Sequence, residues 1–142
     1  FILMAPFLLY IGMWMINNHP YQFVYFNKFA GKNIESNFEL DYWGTSNRDA
    51  LTYIANIDKK NELKIYVLSG SPYHFSLLLV DKEDRKRIKF VNDLSNADFL
   101  VTNHYYENGN PAVINQKLKK EFELIKEFKV DGMPINTIFK MN

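Results

Sequence analysis

The stretch that decides the fold is residues 63–72, which read LKIYVLSGSP. Residues 63–68 form a β-rich apolar run, typical of a strand that is largely buried on both faces. Ser71 and Pro72 follow as a capping residue and a first-turn residue, so we expect a helix over residues 73–80. A strand that leads directly into a helix indicates an α/β protein with parallel pairing.

The C-terminal half of the chain carries the other strand signals. Four runs there are predicted to be strands: residues 88–91, 98–102, 123–130 and 135–140. Asp131-Gly132 joins the last two strands as a hairpin turn, and Pro134 restricts the second hairpin strand to a sheet edge or a strand start. The charged residues 81–87 are expected to form a solvated loop.

A helix is predicted before the first strand. Ser46 can bond to the orphan amide of Asp49, and the Asp49 carboxylate can bond back, which makes a capping box. The apolar stripe of this helix is formed by Ala50, Leu51, Ile54 and Ile57. The order of elements predicts an α/β fold, with flanking helices around a small mixed sheet that has a parallel core and a C-terminal antiparallel hairpin.

The N-terminal residues 1–16 read FILMAPFLLYIGMWMI and are apolar throughout. All 17 basic and 16 acidic residues lie from Lys28 onward. A membrane span needs about 20 apolar residues, so the run predicts the end of a transmembrane helix that begins upstream of Phe1. Tyr10 and Trp14 lie on one helical face, where an aromatic belt would sit. The alternatives are a signal-peptide core, which lacks its basic region and cleavage site, and a buried soluble helix, which usually shows a polar stripe.

Three segments are therefore predicted. Residues 1–17 are the end of the last transmembrane helix, residues 18–38 are an interfacial aromatic helix and linker, and residues 39–142 are a soluble α/β domain. Within the second segment, residues 20–30 read PYQFVYFNKFA. A short helix that is aromatic on most sides either lies flat on the bilayer or packs under the soluble domain.

Composition and spacing exclude several classes of function. The near balance of basic and acidic residues argues against a nucleic-acid partner, and the absence of cysteine excludes disulfides and thiolate chemistry. His19, His74 and His104 have no partners at metal-ligand spacing. Ser69-Gly70-Ser71 has a single glycine and no P-loop lysine, which favours an ordinary turn over a phosphate site. We expect no metal and no cofactor in this chain.

Glu39, Asp41 and Arg48 are the charges most suited to a site. Glu39 and Asp41 point the same way if their run is extended, and Arg48 can pair with one of them. The first interpretation is a structural ion pair that joins the helix to the membrane-proximal segment. The second is a wall that faces a phosphate or a sugar. Tyr42 and Trp43 can stack on a sugar ring or pack into the core.

An ordered series of residues extends over residues 19–51. It consists of HPYQ at 19–22, YFN at 25–27, Gly31, FELDYWG at 38–44, Ser46, Arg48 and Ala50-Leu51. This series resembles the segment after the last membrane helix in polytopic glycosyltransferase-like proteins, the group of dolichyl-phosphate-mannose protein mannosyltransferases and aminoarabinose transferases. The closing VDGMPI at residues 130–135 is similar to the end of the same proteins.

The resemblance implies an integral protein of the inner or plasma membrane that moves sugar from a lipid-phosphate carrier to an acceptor. Its acid-base carboxylate would lie in an early loop outside this chain, so the resemblance assigns no catalytic residue here. Implied partners are the lipid bilayer, the other transmembrane helices and a lipid-linked sugar. The candidate substrate-binding or interface residues are His19, Tyr21, Gln22, Asn27, Glu39, Asp41, Trp43 and Arg48.

Two features of the sequence give opposite indications of the side of the membrane on which the soluble domain lies. Lys28 and Lys32 after the apolar run give a weak bias towards the cytoplasmic side, whereas the resemblance places the soluble domain outside the cytoplasm. We expect the extracytoplasmic side. The rival interpretation of the whole chain is a membrane-anchored binding or assembly module without chemistry of its own.

Overall fold

The computed structural model describes residues 4–26, 30, 34–105 and 121–142, without the side chains of residues 35 and 36. Its α-helices are α1 (Met4–Asn17), α2 (Ile34–Asn37), α3 (Thr45–Ile57), α4 (Tyr73–Leu77) and α5 (Lys82–Arg87). Its strands are β1 (Leu63–Val67), β2 (Ile88–Val91), β3 (Phe99–Thr102), β4 (Phe122–Val130) and β5 (Met133–Met141). Short 3-10 helices cover Gln22–Val24 and Leu94–Asn96.

The five strands form one mixed sheet in the order β2-β1-β3-β5-β4. Strand β1 pairs in parallel with β2 and β3, while β5 is antiparallel to both β3 and β4. The predicted α/β class, parallel core and C-terminal hairpin are confirmed. Asp131 and Gly132 both have positive φ, 49° and 83°, which suits a two-residue hairpin turn. Pro134 is the second residue of β5, an inner strand, so it marks a strand start.

Helix α3 covers one face of the sheet. Ala50, Leu51 and Ile54 are fully buried, as the predicted stripe requires. Ile57 is 45 % exposed, however, and Ala55 takes its place in the core. The reason is position, because Ile57 is the last residue of α3, where the chain turns towards β1. This face of the core also contains Leu63, Ile65, Phe99, Val101 and Ile138.

The segment between α4 and β2 differs from the prediction. Helix α4 ends at Leu77, and the expected loop at residues 81–87 contains the six-residue helix α5. Acidic residues occupy its first turn and basic residues its last, which favours the helix dipole. Two ion pairs three residues apart, Lys86–Glu83 and Arg87–Asp84, support it further. Charge placement, rather than an apolar stripe, makes this helix.

The expected aromatic helix from Pro20 is wrong where the structure describes it. Between residues 20 and 26, the helical part is the 3-10 turn Gln22–Val24, and Tyr25 is extended. Aromatic residues lose side-chain freedom in a helix, so the local preference for one is weak. Tertiary contacts then decide, since Val24 is fully buried and the Tyr25 ring packs edge-on against Trp14 at 4.9 Å. The remainder of that prediction falls partly on residues 27–29 and 31, which lie outside the described residues.

Helix α1 is attached to the domain at its C-terminal end. Trp14 is its one buried residue, and its indole Nε1 donates to Asp131 Oδ2 at 2.9 Å. Trp14 packs with Val24, Val130 and Ile135 in a small core below the β4–β5 turn. In the described part of the chain, no helix is both long enough and apolar enough to cross a bilayer. The transmembrane helix therefore stays a prediction.

Asp98 joins β1, β3 and β5 at the amino end of the parallel strands. Its carboxylate accepts from the Lys64 amide and from Lys60 Nζ, both at 2.9 Å. Its own amide donates to Lys64 O, and its carbonyl accepts from the Met141 amide. Burial works to raise the pKa of Asp98, but these donors outweigh it and hold the pKa below its ordinary value. The charged form of Asp98 is therefore favoured by folding.

We expect Asp98→Ala to lower the free energy of unfolding by about 1 kcal/mol at pH 7, because the Lys64 amide loses its acceptor. A carboxyl with a depressed pKa contributes stability above its ordinary pKa, and this contribution is lost as the pH falls through the folded value. The difference in the free energy of unfolding between wild type and Asp98→Ala should therefore decrease from pH 7 to pH 3, as measured by urea unfolding. Glu62→Ala, in an exposed ion pair with Lys64, is the control. A constant difference across the pH range would contradict the assignment.

Candidate functional site

The carboxyl ends of β1 and β3 form a topological switch point. After β1 the chain crosses to β2 on one side, and after β2 it returns past β1 to β3 on the other. In open α/β sheets, ligand sites lie in the crevice at such a point. Here the two loops are joined directly, because the Gly70 amide donates to Tyr105 O at 2.8 Å. The Ser69-Gly70-Ser71 segment thus behaves as a bonded turn with its glycine amide already used.

Asp41 is the centre of the polar groups at this end of the sheet. Its carboxylate accepts from the Thr45 amide at 2.8 Å, from the Ser46 amide at 3.1 Å and from the Ser46 hydroxyl. It therefore satisfies the first amides of α3, the task of a capping residue. The predicted capping box is wrong, because Ser46 lies within the helix and donates to Asp41. Burial raises the pKa of Asp41, and the bonds from Ser46 and Thr45 only partly offset this.

A buried amide network connects Asp41 to the rest of the domain. Asn136 Nδ2 lies 2.9 Å from Ser46 Oγ, 3.2 Å from Asn47 Oδ1 and 2.9 Å from the Tyr73 hydroxyl. Asn103 Nδ2 donates to Asp41 O at 2.9 Å. All of these side chains are buried. The network holds β3, β5, α3 and α4 together and has little access to solvent.

Two buried oxygens in this region have no hydrogen-bond partner among the described residues. They are Asn136 Oδ1 and Ser69 Oγ. Asn47 Nδ2 instead donates to Ser71 Oγ at 2.7 Å, which connects the β1–α4 loop to α3. Burial also raises the pKa of the Tyr73 hydroxyl, so Tyr73 stays neutral. The hydrogen bonds of these buried side chains join α3, α4 and β5 to the loop after β1.

Tyr21, Asp49 and Arg48 form a second, partly exposed chain of contacts. The Tyr21 hydroxyl donates to Asp49 Oδ2, and Arg48 Nη2 pairs with Asp49 Oδ1 at 2.7 Å. Burial raises the pKa of Tyr21, and the negative charge of Asp49 adds to the effect. The predicted pairing of Arg48 with Glu39 or Asp41 is therefore not what the structure shows: its partner is Asp49, adjacent on the exposed side of α3. The chain ties the segment after α1 to α3.

Glu39 and Asp41 do not share a surface, contrary to the extended-strand expectation. Residues 40–43 form a turn, so the alternation of a strand does not apply. Asp41 is buried beneath α3, whereas Glu39 is exposed to solvent. The two carboxylates thus cannot act as one acidic pair.

The turn before α3 presents an exposed aromatic tip, made of Tyr42 and Trp43. Trp43 is 76 % exposed and Tyr42 is 51 % exposed. Their rings meet edge-on at 5.0 Å, and Tyr42 also meets Tyr105 at 5.3 Å. The alternative of core packing, open from the sequence, is thereby excluded for Trp43. An exposed, supported indole is a group that can bind a flat apolar surface.

The other candidate residues lie apart from this tip. His19 is exposed, and its Nδ1 lies 2.6 Å from Gln22 Nε2. Asn27 lies outside the described residues. The structure brings together Tyr21, Asp41, Trp43 and Arg48 around the first turns of α3 and leaves His19, Gln22 and Glu39 outside that group. Within the described ranges, no three His, Asp or Glu side chains could hold a metal ion.

Sequence reasoning missed the residues that close the network. Asn136 lies within a strand, between Ile135 and Thr137, although Asn is disfavoured in strands, and that mismatch was the available signal. Asn103 and Tyr73 gave no signal, because their partners are distant in sequence. Among the described residues, the aromatic tip and the Tyr21–Asp49–Arg48 chain are two partly exposed groups at this end of the sheet. Comparison of the chain with protein-family models, with curated proteins and with solved structures found no match.

Proposed function

We propose that this chain is the C-terminal, membrane-proximal domain of a multi-span glycosyltransferase-like protein, which moves sugar from a lipid-phosphate carrier to an acceptor. On this proposal the catalytic carboxylate lies outside the chain. The domain lies on the extracytoplasmic side of the inner or plasma membrane, against the bilayer and the other transmembrane helices. The ordered residue series at 19–51 supports the family, and one structural observation supports the location.

That observation is the exposed apolar surface of α1. Its large apolar residues are mostly exposed, namely Met4, Phe7, Leu8, Leu9, Tyr10, Met13, Met15 and Ile16. A helix that is apolar on every side is stable where other helices or lipid surround it. Its 14 residues extend over about 21 Å, at about 1.5 Å per residue. A full span needs about 20 residues, so the proposal requires that the apolar helix continue before Met4.

The anchoring of α1 gives this location a mechanical consequence. The Trp14–Asp131 hydrogen bond and the Trp14–Tyr25 ring contact fix the end of α1 to the β4–β5 turn. The Tyr21–Asp49 bond then fixes the following segment to α3. The domain is therefore held at a defined angle to the helix, which suits a part that shapes acceptor access or stabilises a bundle.

The test of location uses membranes from cells that make the full-length protein. We expect the protein to remain in the membrane pellet after alkaline carbonate extraction, because apolar helices stay in lipid. A peripheral protein and a known multi-span protein in the same membranes are the controls. Release of the full-length protein into the supernatant would overturn the proposal.

The test of chemistry uses the same membranes with isotopically labelled polyprenyl-phosphate sugars. The proposal predicts label in a new acceptor, and loss of label when the acidic residue of the first extracytoplasmic loop is neutralised.

The second candidate function is a membrane-anchored binding or assembly module. It is favoured by the closed polar network and the exposed tip, since neither supplies a reacting group. Membrane retention without any transfer would favour the module over the transferase.

A further inference from the structure

The end of the sheet from which α1 departs is defined by the strand register. Thr102, the last residue of β3, pairs with Thr137 of β5. The first residues of β5, and the turn before it, therefore extend beyond the carboxyl ends of the parallel strands. Trp14 docks at that turn through Asp131. Helix α1 thus leaves the domain at the carboxyl end of β1 and β3.

The aromatic tip lies at the same end. It precedes α3, whose chain then runs back along the sheet to the amino end of β1. Tyr42 touches Tyr105, which follows β3, at 5.3 Å. A Cβ placed on Gly44 would lie 2.7 Å from Ser71 Oγ, in the loop after β1. Two independent contacts therefore place Tyr42 and Trp43 beside the carboxyl ends of both parallel strands.

The opposite end of α3 is equally well located. Asp58, just after α3, lies 3.9 Å from Lys140 Nζ, and Lys140 pairs with Phe99 at the start of β3. Ile57 therefore sits at the amino end of the sheet. It is separated from Trp43 by the length of α3, about 20 Å for 13 residues. The two positions offer a built-in comparison between the ends of the domain.

We propose that the carboxyl end of the sheet faces the bilayer, with Tyr42 and Trp43 as a second interfacial anchor beside α1. This inference rests on the proposed membrane location. Trp and Tyr favour the membrane–water interface, because the ring is apolar and its NH or OH still finds a polar partner. Two contacts, a helix and an aromatic tip, restrict the tilt of the domain in a way that one helix alone would not.

The partner is a phospholipid surface, and two observations favour it over another protein. The tip lies at the end of the domain from which α1 departs, and α1 has an exposed apolar surface. A bilayer that surrounds α1 would therefore lie next to the tip. The tip also consists of two exposed aromatic rings, because Tyr42 and Trp43 form an edge-on pair of side chains that carry no acidic or basic group. A pair of exposed aromatic rings fits the headgroup region of a bilayer, whereas a specific protein partner requires shape complementarity and directed polar contacts.

The experiment uses the two tryptophans as reporters. The complete 142-residue chain is reconstituted into phosphatidylcholine vesicles, and flotation establishes that it is bound. Trp43→Phe removes the tip's emission and leaves Trp14, so the difference from wild type isolates Trp43. Trp43→Phe/Ile57→Trp moves the reporter to the other end of α3. All substituted positions are exposed, so the fold should persist, and circular dichroism checks this.

The vesicles contain phosphatidylcholine whose acyl chains are brominated near the headgroup. We expect the fluorescence emission of Trp43 to shift to shorter wavelength when the chain binds these vesicles. We also expect the emission of Trp43 to be quenched several-fold more than that of Trp at position 57. Equal quenching of both reporters, or an unquenched Trp43 on floated vesicles, would overturn the orientation and leave the membrane location intact. A chain that does not float with vesicles at all would overturn the membrane location, and the orientation with it. The outcomes therefore separate the two proposals.

Discussion

Asp41→Ala is expected to lower the free energy of unfolding by about 3 kcal/mol, or the melting temperature by about 10 °C. Two effects combine. The first amides of α3 lose their acceptor, which costs about 1 kcal/mol for a helix cap. The Ser46 hydroxyl is buried beside Asp41 and also loses this acceptor, which costs about 1–3 kcal/mol more. Urea and thermal unfolding followed by circular dichroism measure the change.

Glu39→Ala is the matched control, because it removes a carboxyl two residues away that is exposed to solvent. Its effect should stay within about 0.5 kcal/mol. Equal losses for the two variants would show that Asp41 does not cap α3.

The pH dependence of the stability that Asp41 contributes has a definite sign. Folding raises the pKa of the Asp41 carboxyl, so its contribution to the free energy of unfolding decreases as the pH rises from the ordinary pKa through the pKa of the folded state. Asp41→Asn should lack this component.

Gly44→Ala is expected to cost about 3 kcal/mol, for two separable reasons. Gly44 has φ of +65°, a left-handed conformation in which a side chain costs about 1 kcal/mol or more. The new Cβ would also lie 2.5 Å from Asn47 Nδ2 and 2.7 Å from Ser71 Oγ. Those two atoms are hydrogen-bonded to each other in the network, so the substitution pushes them apart. The measurement is the same unfolding series.

Gly132→Ala separates backbone strain from the close approach. Gly132 has φ of +83° and nothing within 4 Å of a built Cβ, so only the conformational cost of about 1 kcal/mol applies. If Gly44→Ala costs no more than Gly132→Ala, the tight contact at α3 has no energetic weight. Gly44→Ala should also displace Trp43, the preceding residue in the chain. A change in the quenching of Trp43 fluorescence between wild type and Gly44→Ala would show that the buried network positions the aromatic tip.

The candidate site shows how burial redirects charges that look alike in sequence. Glu39 and Asp41 are two residues apart, and an extended chain would align them. The turn at residues 40–43 instead sends Asp41 under α3 and Glu39 into water. Arg48 forms its ion pair with Asp49 instead of with Glu39 or Asp41, because Asp49 is the next residue on the exposed side of α3. The ion pair that the sequence suggested, as a structural contact or as part of a ligand-facing wall, is replaced by a helix cap at Asp41 and a separate chain of contacts at Asp49.

The elements that local sequence determined are those with strong local rules. The apolar run at β1, the Asp131-Gly132 turn and the α3 stripe each follow from periodicity or from backbone preference. They suffice for the α/β class, the mixed sheet and the hairpin. Charge placement along residues 82–87 was also a local signal, and α5 shows that it can make a helix without an apolar face.

The sequence by itself thus determined the fold class, the hairpin and the apolar surface of α1. Only the tertiary structure decided how the polar residues are used. Asn136 meets Ser46 across a separation of 90 residues, and Trp14 meets Asp131 across 117. No local preference encodes such pairs, because each depends on where distant strands end. The network and the docking of α1 therefore follow from chain topology, which brings the start of α3, the loops after β1 and β3, and the β4–β5 turn to one end of the sheet.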